Sequence, residues 1–167
     1  MRRYPLTVKQ RPLLYIETSV FGFYYDEEPR NALRREAVRA LFHQIDLGML
    51  HAAVSLLTVE ELAGAREPVR TGLLSLAERL EKLVADSDEV DSLAERYIAE
   101  GVVPRPAATD ARHAAIAAVA GTEVLVTLNL KHLANELAER KLNAVNTREG
   151  YPQVRIKTPE EVVRYED

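Results

Sequence analysis

Leu13-Leu14-Tyr15-Ile16-Glu17-Thr18-Ser19 is a run of four apolar, strand-forming residues that stops at a polar triplet. Four residues are too few for a helix, so the run predicts a buried β-strand. In an open α/β sheet the position just past a strand is where ligands bind. Glu17 stands there, and a carboxylate beside a buried strand needs a partner or a cation. On the N-terminal side, residues 1–11 carry Arg2, Arg3, Lys9 and Arg11 with little periodicity and read as a loose basic arm. The single domain is then 12–167.

Toward the C-terminus, strand and helix patterns alternate. Leu33, Ala37, Val38, Leu41 and Ile45 share one face of a predicted helix over 31–47, stopped by Gly48. Leu50 to Val54 is a second strand candidate, and Ser55 and Thr58 can cap a short helix from Val59 to Ala65. Val69, Leu73, Leu76, Leu80 and Leu83 predict an amphipathic helix over 69–83, with Leu83-Val84 as a very short strand. A further helical face runs from Val90 to Ile98 and closes at Gly101. Pro104-Arg105-Pro106 reads as a stiff loop, and Ala111 to Ala120 as an alanine-rich helix. Val124-Leu125-Val126-Thr127 and Val154-Arg155-Ile156 are clear strands. Thr158-Pro159-Glu160-Glu161 is a capping box with Pro at the first helical position. The alternation predicts an α/β fold, a parallel sheet with helices on both faces.

The chain has 167 residues, enough to bury a core without disulfides or a structural metal. It has no cysteine, which excludes a disulfide scaffold, a thiolate zinc site and a cysteine nucleophile. That absence fits a reducing compartment, and a cytoplasmic location is the expectation. With 47% hydrophobic and 29% charged residues the balance is globular and not that of a disordered chain. No apolar run approaches the ~20 residues that span a bilayer. No apolar segment with a cleavage site follows the basic Met1-Arg2-Arg3-Tyr4-Pro5, so a signal peptide is not predicted. Neither Gly-x-Gly-x-x-Gly nor a P-loop is present, and Gly-x-Ser-x-Gly is absent too.

Strand exits and helix starts carry Glu17, then Glu60 and Glu61, then Asp110, then Thr127 and Asn129. Such oxygen ligands suit Mg2+ or Mn2+ and not zinc. Acids gathered without a cation would repel one another. A divalent ion removes that repulsion, binds phosphate oxygen and acidifies a bound water, which points to phosphate-ester hydrolysis. The same residues also have plainer readings: Asp110, Glu60 and Glu61 as partners of helix N-termini, and Asn129 as a turn residue.

Four segments resemble the PIN-domain family. Tyr15-Ile16-Glu17-Thr18-Ser19-Val20-Phe21-Gly22 looks like its opening strand and first acid. Ser55-Leu56-Leu57-Thr58-Val59-Glu60-Glu61-Leu62 resembles its second motif, in the register that selects Glu61. Asp110-Ala111-Arg112-His113-Ala114-Ala115-Ile116-Ala117 resembles the third, and Leu125-Val126-Thr127-Leu128-Asn129-Leu130-Lys131-His132-Leu133 the fourth. Val145-Asn146-Thr147 and Ile156-Lys157-Thr158-Pro159-Glu160-Glu161 match how one subgroup ends. The most similar subgroup is the VapC-like toxins of type II toxin–antitoxin pairs. The resemblance implies a Rossmann-like PIN domain with four to five parallel strands. It implies an Mg2+- or Mn2+-dependent endoribonuclease, a homodimer, and a small antitoxin partner. It implies Glu17, Glu61, Asp110 and Asn129 as catalytic metal ligands, with Ser19 and Thr127 holding them or a water. Two positions depart from the pattern: Glu17 stands where Asp is usual, one methylene or roughly 1.5 Å longer, and Asn129 is neutral. These departures motivate an alternative, a PIN-like RNA- or protein-binding regulatory module. A small-molecule phosphatase is a third reading, against which Glu17 argues, since an Asp nucleophile would be expected there.

Phosphate contacts need local positive charge. Arg30, Arg34, Arg35 and Arg39 form a possible basic stripe on one helix, while Arg112, Lys131 and His132 neighbour the expected ligands. His113 lies three residues after Asp110 and reads as a supporting group. Phe21, Phe23, Tyr24 and Tyr25 either stack on bases or pack a helix start or dimer face.

Overall fold

The computed structural model describes residues 12–164, so the arm over 1–11 lies outside the described residues. Strand β1 (Leu13–Ile16) alternates its side chains between two cores. Leu14 and Ile16 join one and Tyr15 the other, as the two-residue period of a strand requires. β2 (His51–Ser55), β3 (Glu81–Leu83), β4 (Val124–Val126) and β5 (Arg155–Lys157) complete one five-stranded sheet in the order β3-β2-β1-β4-β5. All four pairings are parallel.

The helices are α1 (Thr18–Gly22), α2 (Ala32–Asp46), α3 (Leu56–Leu62), α4 (Val69–Glu78), α5 (Asp88–Ala99), α6 (Ala108–Val119), α7 (Glu136–Arg148) and α8 (Pro159–Val162). On one face Leu14, Ile16, Val124 and Val126 pack with Val20, Phe21, Val38, Leu41, Leu73 and Leu76 of α1, α2 and α4. On the other Tyr15, Leu125 and Ile156 pack with Leu93, Tyr97, Ile116 and Leu142 of α5, α6 and α7. The five alanines of α6 that are buried at 0–1% exposure let that helix lie close against its neighbours. This is the α/β architecture expected, with five parallel strands and helices on both faces. Among the described residues no helix is long and apolar enough to cross a membrane.

Boundaries differ where local signals compete. The predicted helix over 69–83 ends at Glu78, and the strand takes Glu81–Leu83 and not Leu83-Val84. The leucine period runs on through the turn because Leu80 is buried in the same core as Leu73 and Leu76. The helix predicted from Val59 begins at Leu56, because the Ser55 side chain accepts the Thr58 N–H at 3.1 Å. Pro104-Arg105-Pro106 leads into a short 3-10 turn at Arg105–Ala107. Thr158 donates its N–H to Glu161 Oε1 at 3.1 Å, the predicted capping box.

One end of the sheet is sealed. Asn143 of α7 donates to Val154 O at 2.8 Å and accepts from Val154 N at 2.7 Å, and Glu139 accepts from Ile156 N at 3.0 Å. These side chains occupy backbone groups at the β5 edge that a sixth strand would use.

Candidate active site

β1 and β4 are neighbours, yet the chain leaves β1 toward β2 and β3 on one side and reaches β5 on the other. The carboxyl ends of β1 and β4 therefore flank the topological switch point, where an open α/β sheet forms its crevice. The pairing Ile16↔Val126 sets Glu17 beside Thr127.

Glu17 caps α1 and is only 5% exposed. Its Oε2 accepts the Ser19 N–H at 3.1 Å, the Ser19 hydroxyl, and the Thr127 hydroxyl at 2.8 Å. Three donors on one oxygen replace the water that burial removes. Ser19 Oγ also accepts the Leu128 N–H at 2.9 Å, and Thr127 Oγ1 accepts the Asn129 N–H at 3.0 Å. Ser19 and Thr127 thus tie the acid after β1 to the loop after β4. Among the described residues no protein donor engages Glu17 Oε1.

Glu61, on α3, accepts from the Thr18 hydroxyl at 2.9 Å and from His113 Nε2 at 2.6 Å, both at Oε1. Its side chain is 33% exposed, while His113 is 1% exposed. The other ring nitrogen of His113 meets the Tyr15 hydroxyl at 2.6 Å, and Tyr15 meets Ser55 Oγ at 2.8 Å. Burial raises the Tyr15 pKa far above its ordinary value, against the smaller opposing effect of the Ser55 and Thr58 hydroxyls, so the phenol keeps its proton. A phenol that donates to Nδ1 leaves Nε2–H for the carboxylate. Burial opposes ionisation of Glu61, but the hydrogen bonds from His113 and the Thr18 hydroxyl outweigh it. Glu61 is therefore held below the usual carboxylate range. Glu60, its neighbour, is exposed.

Asp110 sits in the first turn of α6 and makes no capping bond. Its Oδ2 accepts from His132 Nδ1 at 3.1 Å, and the His132 N–H donates to Asn129 Oδ1 at 3.0 Å. Two hydrogen-bond chains result, one from Glu17 through Thr127, Asn129 and His132 to Asp110, the other from His113 through Glu61 to Thr18. They meet through α6 and the turn after β1, and gather Glu17, Glu61, Asp110 and Asn129 at one rim, with Ser19, Thr127, His113 and His132 as supports.

Within that rim the acids keep separate stations. Among the described residues no three His, Asp or Glu side chains stand close enough together to hold a metal ion. The donor set matches a hard cation in kind, since among the described residues Glu61 Oε2 and Asp110 Oδ1, like Glu17 Oε1, have no protein donor.

Other expected residues turn elsewhere. Arg112 pairs with Asp91 at 2.7 Å and Asp86 at 2.9 Å, fastening α6 to the start of α5, so it is not directed to the rim. Three of the four arginines of the predicted stripe are tied down, Arg34 to Glu160 at 3.2 Å, Arg35 to Asp26 O at 2.7 Å and Arg39 to Tyr24 O at 2.9 Å, while Arg30 lies in the turn before α2. Of the aromatic cluster Phe21 is fully buried, Phe23 and Tyr24 are half-buried and Tyr25 is exposed. Phe21 and Tyr24 lie 5.1 and 5.8 Å from the Phe42 ring, and Arg34 and Arg39 cover Phe23 and Tyr24. Tyr15 and Ser55 are the supports that sequence reasoning missed. The available signal was a hydroxyl inside a buried strand, which needs a partner.

No protein-family model matches this sequence, and no curated protein matches it. Among solved structures, a chain of VapBC-1 from nontypeable Haemophilus influenzae aligns over 89% of this chain and 98% of its own, with 14% identity and a TM-score of 0.55. The fold is shared with VapBC-1. VapBC2 from Rickettsia felis, solved bound to a DNA fragment from the promoter, aligns over 87% of this chain and 98% of its own at 14% identity and a TM-score of 0.49. The similarity to VapBC-1 extends over most of the chain.

Proposed function

We propose that this chain is a VapC-like toxin, an endoribonuclease that hydrolyses RNA phosphodiesters at the rim of Glu17, Glu61 and Asp110 and takes up Mg2+ or Mn2+ to do so. The observation that supports it is the rim: carboxylates from three distant segments, joined by two hydrogen-bond chains that meet through α6 and the turn after β1, at the switch point of a fold shared with VapBC-1. Ser19 and Thr127 hold Glu17 in place while leaving Oε1 clear. Thr18 and His113 do the same for Glu61 and leave Oε2 clear. Glu61, held ionised with one open oxygen, can orient a water for attack. A small antitoxin and a second copy of the chain are the partners this reading carries.

The separate stations of the acids favour a second reading, a binding or regulatory module on the same fold without nuclease activity. RNA cleavage in Mg2+ or Mn2+ by the wild type and by Asp110→Ala decides between them. The nuclease reading expects cleavage that falls at least about 100-fold in the variant, the scale on which a misplaced reacting group is felt. Equal cleavage by both proteins, or none by either, overturns it.

A further inference from the structure

Lys131 and Lys141 are the two lysines among the described residues whose ammonium groups meet neither a carboxylate nor a backbone carbonyl. Lys82 donates to Glu78 O at 2.5 Å, and Lys157 pairs with Glu161 at 3.8 Å. Both unpaired lysines line one cleft of about 120 Å3, between the loop after β4 and the first turns of α7. The volume is that of roughly four water molecules, which is room for one phosphate group.

No carboxylate lines the cleft. The two acids of the first turn of α7 are engaged elsewhere, Glu136 with Arg140 at 3.2 Å and Glu139 with the Ile156 N–H at 3.0 Å. Val102 is a buried apolar wall, and Leu137 is an exposed apolar flank beside the lysines. Asn135, Ala138 and His132 complete the lining, and His132 is the same side chain that holds Asp110 Oδ2. The cleft and the acidic rim therefore share a residue. A strand crossing the rim at Asp110 would bring its next phosphate past His132 and between the two lysines.

We propose that this cleft binds a backbone phosphodiester of the RNA flanking the bond that lies at Asp110, with Lys131 and Lys141 as its countercharges. The inference rests on the nuclease reading and adds to it a phosphate subsite that sets the direction in which the strand leaves the rim. It asks nothing of the bases, so it predicts affinity without sequence preference.

The test is binding of a short fluorescein-labelled oligouridylate, followed by anisotropy in EDTA over a range of salt. Without metal the readout is independent of cleavage. Loss of one phosphate contact lowers the slope of log K against log salt by about 0.7 for a single strand. At 0.15 M salt that amounts to about a fourfold weaker Kd. Lys131→Ala/Lys141→Ala should show both changes, and Lys131→Arg/Lys141→Arg should restore them. Lys82→Ala/Arg155→Ala, which removes the same net charge from exposed positions elsewhere, should show neither. An unchanged slope in the alanine pair, or an equal change in the control pair, overturns the subsite. If Asp110-dependent cleavage persists in that case, the subsite fails and the nuclease reading stands. No binding of the oligouridylate by the wild type overturns the subsite as well, whatever the cleavage assay shows.

Discussion

Tyr15→Phe removes one oxygen from a buried chain of hydrogen bonds and leaves the ring that fills the core. The lost hydroxyl bonds His113 Nδ1 at 2.6 Å and Ser55 Oγ at 2.8 Å, and Tyr15 itself is fully buried. Two polar groups lose a close partner: a nitrogen on a ring 1% exposed, and a hydroxyl on a residue with no exposure. Leaving a buried group unsatisfied costs about 1–3 kcal/mol. Ser55 retains the Thr58 N–H as a donor, so its loss lies at the lower end. The sum is about 3 kcal/mol. For a domain of this size each kcal/mol moves Tm by about 2–4 °C, so the variant should melt about 6–12 °C lower. Urea unfolding should show a lower midpoint with an unchanged slope, since the buried area is the same. Tyr25→Phe, at a partly exposed ring, is the control and should stay within about 0.5 kcal/mol. A Tyr15→Phe midpoint within about 2 °C of the wild type would refute the hydroxyl as a structural element and with it the fixed orientation of His113.

Three further outcomes follow from the same geometry. Asn143→Ala deprives the fully buried Val154 of partners for both backbone groups and should destabilise by about 2–3 kcal/mol; light scattering should also detect association beyond that of the wild type through the opened β5 edge, and a stable variant no more associated than the wild type would contradict the sealing role. Glu61 is held below its unfolded pKa, so its contribution to stability is full above about pH 4.3 and is lost as pH falls through the lower folded value. Comparing wild type and Thr18→Val in acid should show the variant losing stability at higher pH, and superimposable acid limbs would contradict the Thr18 contact. Burial raises the pKa of Tyr15 and Tyr97, so their contributions to stability are full below about pH 10 and are lost as pH rises through the folded values. Absorbance at 295 nm should show two of the seven tyrosines ionising only with unfolding, whereas smooth titration of all seven in the folded protein would contradict their burial.

Much of the fold is legible in the chain because its central strands are buried on both faces. Leu13–Ile16 and Val124–Val126 read as continuous apolar runs, and nothing else suits runs so short. β3 is harder, because Glu81-Lys82-Leu83 lies at the open edge and carries charge on exposed positions, so its signal merges with the leucine period before it. Helix α7 is invisible to the apolar pattern for a related reason. Its face against the rest of the protein includes Asn143 and Asn146, which serve β5 and Tyr97 through hydrogen bonds and break the stripe.

At the rim, the positions of Glu17, Glu61, Asp110 and Asn129 follow from strand ends and motif register. Their partners do not. That His132 takes Asp110, that His113 bridges Tyr15 to Glu61, and that Arg112 turns to Asp86 and Asp91 are tertiary facts. They depend on how α6 settles against α5 and the loop after β4, and no local pattern encodes that. The expectation that the acids form one ready metal cluster rests on sequence order, while the distances among side chains are set by these partners.

The central claim is that Glu17, Glu61 and Asp110 act as one site despite their separate hydrogen bonds. Calorimetric titration of Mn2+ into the wild type, Glu17→Gln, Asp110→Asn and the double variant tests it most directly. One shared site predicts saturable binding at millimolar metal or below that is lost in each single variant, with no further loss in the double. Binding that persists unchanged in either single variant, or no binding by the wild type at millimolar Mn2+, contradicts it.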